Sequence, residues 1–228
     1  MSGKRANLWR DENGAAMLEF TAAAFTFFII LFGTIDFAQV FFKWNLATKA
    51  TQLGARLAAV SNPVANNLTT LTGVGGAVLP GDPMPTFDYT CTTTSATGAT
   101  GTCTNTGNYS AAAMQTIFYG RGNATQTCID TGLNLGMCNI LGGMSDQNGA
   151  ALTPKNVTVR YQYTGLGYAG RPGPVPTSPG GPVPTITVSL TGVSHNFTLV
   201  GGLAGITSVA LPTFSTTVTG EDLASAGS

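Results

Sequence analysis

The sequence predicts an α+β fold, with a long N-terminal membrane-spanning helix followed by a small antiparallel sheet that carries long Gly/Pro/Thr-rich loops. An uninterrupted apolar run lies near the N-terminus, several later segments alternate apolar and polar residues, and the stretches between them are rich in turn-forming residues. We therefore divide the chain into residues 1–14, a cytoplasmic leader; residues 15–62, the helix; and residues 63–228, an exported head.

Charge is scarce in this chain. Only 9% of the 228 residues are charged, and the formal net charge is zero, whereas soluble globular domains average about 25% charged residues. A neutral chain lacks the basic surface on which nucleic-acid binding depends, so we expect no nucleic-acid partner. The low charge and the many Gly, Thr and Asn residues are typical of a protein that functions outside the cytoplasm.

Residues 15–35 are apolar on every side of a helix and contain one charge, Glu19. About 20 such residues span the roughly 30 Å hydrocarbon core of a bilayer. The run is too long for a cleaved secretory signal, and no A-x-A site closes it. Lys4 and Arg5 in the short leader favour a cytoplasmic N-terminus. The four cysteines, all C-terminal to the run, favour an oxidising compartment for the head.

The helix is expected to continue beyond the membrane until Ser61-Asn62-Pro63, because a proline disfavours helical geometry in the residue before it. An amphipathic stripe at spacings of 4, 3, 4 and 3 is formed by Leu46, Ala50, Leu53, Leu57 and Val60. Aromatic residues typical of a membrane interface are Phe41, Phe42 and Trp44. Asp36 and Lys43 lie seven residues apart on one face and form a second intramembrane or interfacial pair of charges.

Glu19 is the most informative single residue, because a carboxylate in hydrocarbon is costly and usually marks a function or a partner. Snorkelling of the side chain to the cytoplasmic interface is the simpler alternative. Glu19 is, however, the fifth residue after Gly14, at the end of a basic, polar leader. This arrangement resembles the processing site of type IV prepilins, in which a membrane peptidase cuts after the glycine, here between Gly14 and Ala15.

Residues 13–60 together resemble the N-terminal region of TadE-like proteins, the pseudopilins (minor pilins) of the tight-adherence (Tad/Flp) pilus system. The family pattern is a G-A-A-x-x-E-F start, an apolar run, F-G-x-x-D-F, an aromatic cluster and a G-A-R end. The corresponding residues are Gly14 to Phe20, Phe32 to Phe37, and Gly54 to Arg56. Phe20 departs from the tyrosine that the major Flp pilins usually carry, and the chain is longer than those small pilins.

The resemblance implies a structural subunit for assembly of a Tad (type IVb-like) pilus that acts in surface adherence, with no enzymatic activity and no cofactor. It implies processing at Gly14 and Ala15, and a role for Glu19 and Phe20 in helix register and assembly. The implied partners are other pilin and pseudopilin subunits, a prepilin peptidase, an inner-membrane assembly platform and membrane lipid. The implied location is the bacterial inner membrane, crossed once, with the head periplasmic or on the pilus.

A second class of function remains open. The chain is alternatively a membrane-anchored binding module, an adhesin or receptor that is not incorporated into a pilus. Its contact with a partner would then lie in the Pro/Gly-rich segment near residues 165–184.

Within the head, apolar and polar residues alternate clearly in two segments, residues 157–163 and 185–190, and this pattern predicts strands. The Pro/Gly-rich segment between them is expected to join the two strands as a long hairpin. Weaker alternation predicts strands at residues 193–199 and 213–219. Residues 109–119 predict a short helix capped by Asn108, with Met114, Ile117 and Phe118 facing inward. Residues 64–107 predict loops with short strands. This sheet is expected to pack against the distal half of the long helix.

The head contains four cysteines, which permit three disulfide connectivities. We favour the local pairs Cys91–Cys103 and Cys128–Cys138, each enclosing a Gly/Thr/Asn-rich loop. Free thiols and a zinc site are the rivals; C-x-x-C spacing is absent, and His195 is the single histidine. His195 lies on the apolar face of an alternating segment, where a packing role is expected rather than a catalytic one. No nucleophile, phosphate-binding or metal-binding motif occurs, so we predict no metal and no catalytic residue.

Overall fold

A computed structural model describes residues 12–76, 81–105, 108–122, 126–128, 134–168, 181–197, 201 and 208–220. The predicted leader and the central part of the Pro/Gly-rich segment lie mostly or wholly outside these ranges. The chain divides into two compact units. The first comprises Met1–Phe42 and Asn196–Val209, and the second comprises Lys43–His195 and Ala210–Ser228.

The predicted α+β fold is confirmed. A single helix, α1, runs from Glu12 to Ala59 over 48 residues. Its end lies two residues before Ser61-Asn62-Pro63, as the proline requires. Two short helices follow, α2 (Ala111–Tyr119) and α3 (Met137–Leu141), with 3₁₀ turns at Asn66–Thr70 and Pro154–Asn156.

The sheet of the second unit is antiparallel throughout and has the strand order β2-β1-β3-β4-β7. Its strands are β1 (Asp88–Thr93), β2 (Gly101–Cys103), β3 (Val157–Gln162), β4 (Thr185–Leu190) and β7 (Phe214–Thr219). Strands β5 (Ser194–Asn196) and β6 (Ser208–Ala210) form a separate two-stranded sheet. The hairpin of β3 and β4 confirms the two clearest strand predictions, since β4 has the predicted bounds and β3 ends one residue early.

One face of the five-stranded sheet is buried. Alternation places Val157, Val159 and Tyr161 of β3 beside Ile186, Val188 and Leu190 of β4, and all six are fully buried. The residues between them on each strand are half-buried or exposed. Period-two alternation in the sequence therefore corresponds to one dry face and one wet face.

The distal part of α1, residues 43–59, packs on this dry face. Of the predicted stripe only Ala50 is fully buried, and the other fully buried residues on this part of the helix are Ala47, Thr51, Ala55 and Ala58. Leu46, Leu53 and Leu57 are only half-buried, and Val60 is 47% exposed. Gly54 is buried as well, and a Cβ atom there would lie 3.3 Å from Val188. The small side chains bring the helix close to the sheet, so the leucines flank the contact.

Two further contacts join this part of α1 to strand β7. The Thr51 and Thr216 hydroxyl oxygens are 2.9 Å apart and share a hydrogen bond. The rings of Trp44 and Phe214 meet edge to face at 5.0 Å between centroids. The prediction that a sheet packs on the distal half of the helix therefore holds within the second unit.

The predicted helix at residues 109–119 forms as α2, with Met114, Ile117 and Phe118 buried as expected. Its cap was predicted wrongly. Ser110, not Asn108, is the N-cap, and its hydroxyl accepts a hydrogen bond from the amide of Ala113. The backbone of Asn108 instead accepts from the amide of Asn66, which commits that residue to a neighbouring segment.

Candidate functional site

The proposed processing and assembly residues lie at the start of α1. Gly14, Ala15 and Glu19 belong to its first two turns, and all residues from 14 to 20 are exposed. Met17, Leu18 and Phe20 are 73%, 70% and 72% exposed. Glu19 has no hydrogen-bond or ion-pair partner among the residues that the structure describes. Its carboxylate therefore projects from an apolar surface that is open to lipid or to another helix.

The apolar surface continues along the helix. Its most apolar 18-residue window has a mean hydropathy of 2.0, and none of that window is buried. By length and composition, the helix from Gly14 to Ala59 is able to cross a membrane. The rings of the exposed Phe28 and the half-buried Phe32 stack at 5.8 Å between centroids, and those of the exposed Phe37 and Phe41 meet edge to face at 4.9 Å. This unit is compatible with a single-pass membrane anchor.

The hydroxyl groups on this apolar surface are bonded to the helix itself. Thr21 donates to the carbonyl of Met17 at 2.7 Å, and Thr26 donates to that of Ala22 at 2.9 Å. Thr34 donates to the carbonyl of Leu31 at 2.8 Å. Such bonds satisfy a hydroxyl without water. The threonines consequently do not prevent the helix from lying in hydrocarbon.

The second pair of predicted charges differs in environment from Glu19. Asp36 is 1% exposed, although its neighbours Ile35 and Phe37 are 42% and 60% exposed. Lys43 is half-buried and is the first residue of the second unit. Their role as intramembrane or interfacial charges stays a prediction.

Comparison with known families finds a similarity, which covers most of the N-terminal helix. The sequence model of one protein family, described as TadE-like protein, matches residues 14–56 of this chain. Residues 14–56 are thus similar to TadE-like proteins, and we call them the TadE-like segment. The resemblance expected from the sequence is thereby confirmed for this part of the chain. The TadE-like segment begins at Gly14, includes Glu19 and Phe20, and ends at Arg56, close to the end of α1. No curated protein matches this chain significantly, and no solved structure does.

The cysteines of the head form two disulfides, Cys91–Cys103 and Cys128–Cys138, with Cα atoms 4.0 Å and 5.7 Å apart. Cys91 and Cys103 are cross-strand partners in β1 and β2. All four cysteines are thus paired in disulfides. No group of three metal-binding side chains lies together in the described part of the chain. His195 is 1% exposed, which accords with a packing role.

An open groove of about 480 Å³ lies in the second unit, and the sequence analysis had selected none of its residues. Its lining consists of Thr86, Phe87, Asp88, Tyr89 and Asn105. The Phe87-Asp88-Tyr89 triplet was the available signal, an acid between two aromatic residues. This triplet lies in a region for which the sequence predicts loops with short strands. In such a region the sequence does not fix the direction of each side chain.

Asp88, one of the residues that line this groove, forms an ion pair with Arg160. Arg160 donates from Nε to Asp88 Oδ1 at 2.9 Å and from Nη2 to Oδ2 at 2.5 Å. The hydrogen bond from Arg160, helped by one from Gln162, lowers the pKa of Asp88 below its ordinary value. Asn105 donates from its side chain to the Asp88 carbonyl at 2.6 Å and has a φ of 56°. Asparagine is among the residues that best tolerate this left-handed conformation.

Proposed function

We propose that this chain is a minor pilin, or pseudopilin-like structural subunit, for assembly of a Tad (type IVb-like) pilus that acts in surface adherence. The TadE-like segment indicates a subunit associated with the Tad pilus. One observation carries the finer proposal: Glu19, five residues after Gly14, projects from an exposed apolar helix at the start of that segment.

In the proposed mechanism, a prepilin peptidase cuts between Gly14 and Ala15 and frees the amino group of Ala15. That amino group is a cation at the membrane, and Glu19 of a neighbouring subunit is an anion. Each charge is costly alone in hydrocarbon, whereas a paired and hydrogen-bonded charge is tolerated. Pairing between subunits therefore fixes the stagger of adjacent helices. Phe20 and the other exposed apolar residues supply packing area for the same contact.

The proposed topology places the N-terminus in the cytoplasm and the head in the periplasm or on the pilus, with one crossing of the bacterial inner membrane. Two disulfides in the head support an oxidising compartment on that side. The backbone-bonded threonines of α1 support residence of residues 15–35 in lipid. The partners in this proposal are other pilin and pseudopilin subunits, the prepilin peptidase, the inner-membrane assembly platform and lipid.

The test is to purify the chain from membranes of cells that express the pilus system and to determine its N-terminus by mass spectrometry. A mature chain that starts at Ala15 and co-purifies with pilin subunits is expected. Gly14→Leu blocks cleavage, whereas Gly33→Leu, a matched change within the same helix, leaves the Ala15 start intact. A chain that starts at Met1 or Ser2 and has no pilin partners contradicts the proposal and favours the membrane-anchored binding module.

A further inference from the structure

One face of α1 is covered within the first unit. Every residue from Phe25 to Phe42 is exposed except Ile29, Phe32, Gly33, Asp36 and Val40. At 3.6 residues per turn, these five positions lie within about 60° of Ile29 around the helix axis. They therefore form one continuous stripe along the helix, which we call the Asp36 stripe.

The cover lies on one side of the helix only. Asp36 is 1% exposed, whereas its neighbours Ile35 and Phe37 are 42% and 60% exposed. Ile29 is half-buried, although the adjacent Ile30, a residue of the same type, is 62% exposed. Such contrasts between neighbours mean that a segment of chain packs along the Asp36 stripe and leaves the other faces open.

The first unit contains one segment that is able to supply this cover. Outside α1 it consists of the residues before Glu12 and of Asn196–Val209. Val40 follows Glu12 by 28 residues, which is about 42 Å along a helix. The 11 residues before Glu12 span at most about 40 Å when fully extended. The cover of the stripe up to Val40 therefore comes from Asn196–Val209.

The Asn196–Val209 segment is uncharged and largely apolar. No Asp, Glu, Lys or Arg occurs between Arg171 and Glu221. The ends of the segment lie in β5 and β6, which pair with each other, so backbone groups are satisfied there without water. Gly201 has helical geometry and is buried. The large apolar residues of the segment are Phe197, Leu199, Val200, Leu203, Ile206 and Val209.

The Asp36 stripe extends into the apolar run of α1. Ile29 and Phe32 belong to residues 15–35, the part of the helix that is expected to lie in the bilayer. Seven residues separate Ile29 from Asp36, a distance of about 10 Å along the helix. Elements that lie in a membrane interface reach about 5–10 Å into the boundary of headgroups and acyl chains. A segment that covers Ile29 and Phe32 therefore lies at acyl-chain depth.

We propose that Asn196–Val209 is a second membrane-contacting element, which enters the bilayer beside α1 and covers Asp36. Its partner is the acyl-chain region of the same bilayer that α1 crosses. The side chain of Val209 is 37% exposed and is thus available to lipid. This inference rests on the membrane crossing of the proposed function, but not on cleavage after Gly14 or on pilus assembly.

Charge favours lipid over water as the environment of this segment. A charged side chain in the hydrocarbon region is costly, and the segment carries none. The same cost applies to the Asp36 carboxylate at the end of the apolar run, and the cover keeps that carboxylate away from acyl chains. An apolar segment in water would instead leave side chains such as Val209 exposed without a partner.

The cover leaves the side of the helix that carries Glu19 open. Glu19 precedes Ile29 by ten residues, which places it about 80° around the helix axis from the centre of the Asp36 stripe. Glu19 is exposed, as are its neighbours Leu18 and Phe20. The two carboxylates of α1 therefore have different environments, since one is covered by the chain itself and the other is free to meet a neighbouring helix.

The first test measures depth in the membrane with spin labels on the full chain, in nanodiscs of phosphatidylcholine and phosphatidylglycerol. All four native cysteines are in disulfides, so an added cysteine is the single free thiol. Labels are placed at Val209→Cys, at Phe28→Cys within the apolar run, and at Val74→Cys in the second unit. Phe28 and Val74 are 50% and 71% exposed, and both sites therefore accept a label.

Oxygen concentrates in acyl chains, and a nickel chelate stays in water. The ratio of oxygen to nickel collision rates at Val209 is expected to exceed that at Val74 by about threefold or more, towards the value at Phe28. A Val209 ratio equal to that of Val74, with Phe28 in lipid, refutes this inference alone. A Phe28 label that is in water refutes the membrane crossing of the proposed function.

The second test measures the cover of Asp36 with dicyclohexylcarbodiimide, a carboxyl reagent that partitions into lipid. Labelling of Glu19 and protection of Asp36 are expected, with peptide mass spectrometry as the measurement. Replacing the four aliphatic residues of the segment by serine should make Asp36 reactive and leave the labelling of Glu19 unchanged. Those four residues are Leu199, Val200, Leu203 and Ile206.

Leu135→Ser with Leu166→Ser is the matched control, because both leucines are exposed and belong to the second unit. This variant should leave Asp36 protected. Reaction of Asp36 at the rate of Glu19 in the unaltered chain contradicts the cover. The same conclusion follows if the serine variant keeps a Phe28 label in lipid and Asp36 stays protected. The spin-label comparison at Val209 does not depend on how the serine variant folds.

Discussion

The phenol oxygen of Tyr161 accepts a hydrogen bond of 2.9 Å from the backbone amide of Val64. Both residues are fully buried. This bond joins the central strand of the sheet to the chain segment that directly follows the long helix. Burial raises the pKa of Tyr161, so the phenol stays neutral across the physiological range.

Tyr161→Phe leaves the Val64 amide buried and without its acceptor. The expected cost is about 1–3 kcal/mol of unfolding free energy, measured by denaturant unfolding of the chain in nanodiscs. Tyr89→Phe is the control, because the Tyr89 hydroxyl has no hydrogen-bond partner among the described residues. A loss of the same size in both variants would mean that the Tyr161 bond is not the cause.

The close contact of α1 with the sheet rests on Gly54. A Cβ atom there would lie 2.5 Å from Met137 Sδ and 2.9 Å from its Cγ. Met137 is fully buried and has little room to move. Overpacking usually costs about 1–3 kcal/mol, which outweighs the gain in helix propensity of about 1 kcal/mol.

Gly54→Ala is therefore expected to lower the unfolding free energy by up to about 2 kcal/mol. Gly75→Ala, where an added Cβ would contact nothing within 4 Å, should be close to neutral. Adding Met137→Ala to Gly54→Ala should show a favourable coupling in a double-mutant cycle. Strict additivity of the two changes would place the strain elsewhere.

The two disulfides differ in access to solvent. Each has one buried cysteine, Cys91 or Cys138, but the partner Cys103 is half-buried whereas the partner Cys128 is exposed. A thiolate must reach a sulfur atom to exchange with it, so low concentrations of dithiothreitol should reduce Cys128–Cys138 first. Alkylation followed by peptide mass spectrometry gives the order of reduction. Earlier labelling of Cys91 and Cys103 would contradict the role of exposure.

Loss of either crosslink should also cost stability. Each encloses a loop of about a dozen residues, for which chain entropy predicts about 3 kcal/mol. Cys91→Ala with Cys103→Ala is expected to cost more than the corresponding double change at Cys128 and Cys138, since both Cys91 and Cys103 lie in or against the core, whereas in the other pair only Cys138 does and Cys128 is exposed. Calorimetric unfolding of both double variants tests this order, and equal costs would leave chain entropy as the sole contribution.

The Asp88–Arg160 pair gives a direction to the acid response of the head. The folded pKa of Asp88 lies below the unfolded value of about 3.9. Its stabilising contribution is therefore present above about pH 4 and is lost as the pH falls through the folded pKa. The effect is small because both side chains are well exposed.

In Asp88→Asn, that part of the acid dependence should disappear. Thermal unfolding between about pH 2 and pH 6 should show a slightly lower midpoint than the unaltered chain above about pH 4, and convergence of the two below it. High salt should reduce the difference, because exposed pairs are screened. A difference that grows as the pH falls would have the wrong sign.

The strands that the sequence predicted best are those with one apolar face. Val157 to Gln162 and Thr185 to Leu190 alternate strictly, because the dry face needs aliphatic side chains at every second position. Strand β1 was predicted only as part of a region of loops and short strands. Its inward residues are Tyr89, Cys91 and Thr93. A disulfide-bonded cysteine and a threonine are not strongly apolar, so they produce no recognisable alternation of apolar and polar residues.

The buried stripe of the helix and the groove could not be predicted from the sequence, for two different reasons. Large aliphatic residues normally mark a buried stripe, but close approach to the sheet selected alanines and Gly54, with the leucines at the sides. The groove depends on register: Asp88 and Arg160 are 72 residues apart and meet only because β1 pairs with β3. The spacing of Gly14 and Glu19 is local, so the sequence alone sufficed to select them.

Glu19→Ala removes the charge that the proposed assembly contact requires. Membrane insertion should remain normal, since replacing a carboxylate by a methyl group makes the apolar run more favourable in lipid. Cleavage after Gly14 should persist, while incorporation into pili falls by at least about tenfold if pairing contributes about 1.4 kcal/mol or more. Glu19→Asp, which keeps the charge, should retain more assembly than Glu19→Gln, which keeps most of the shape. Thr26→Ala is the matched control, because its hydroxyl is bonded only to its own helix. Membrane fractionation, the N-terminal mass and a count of the chain in sheared pili measure the three steps separately. Normal piliation in both Glu19→Ala and Glu19→Gln would show that the carboxylate does not set the register of the packed helices.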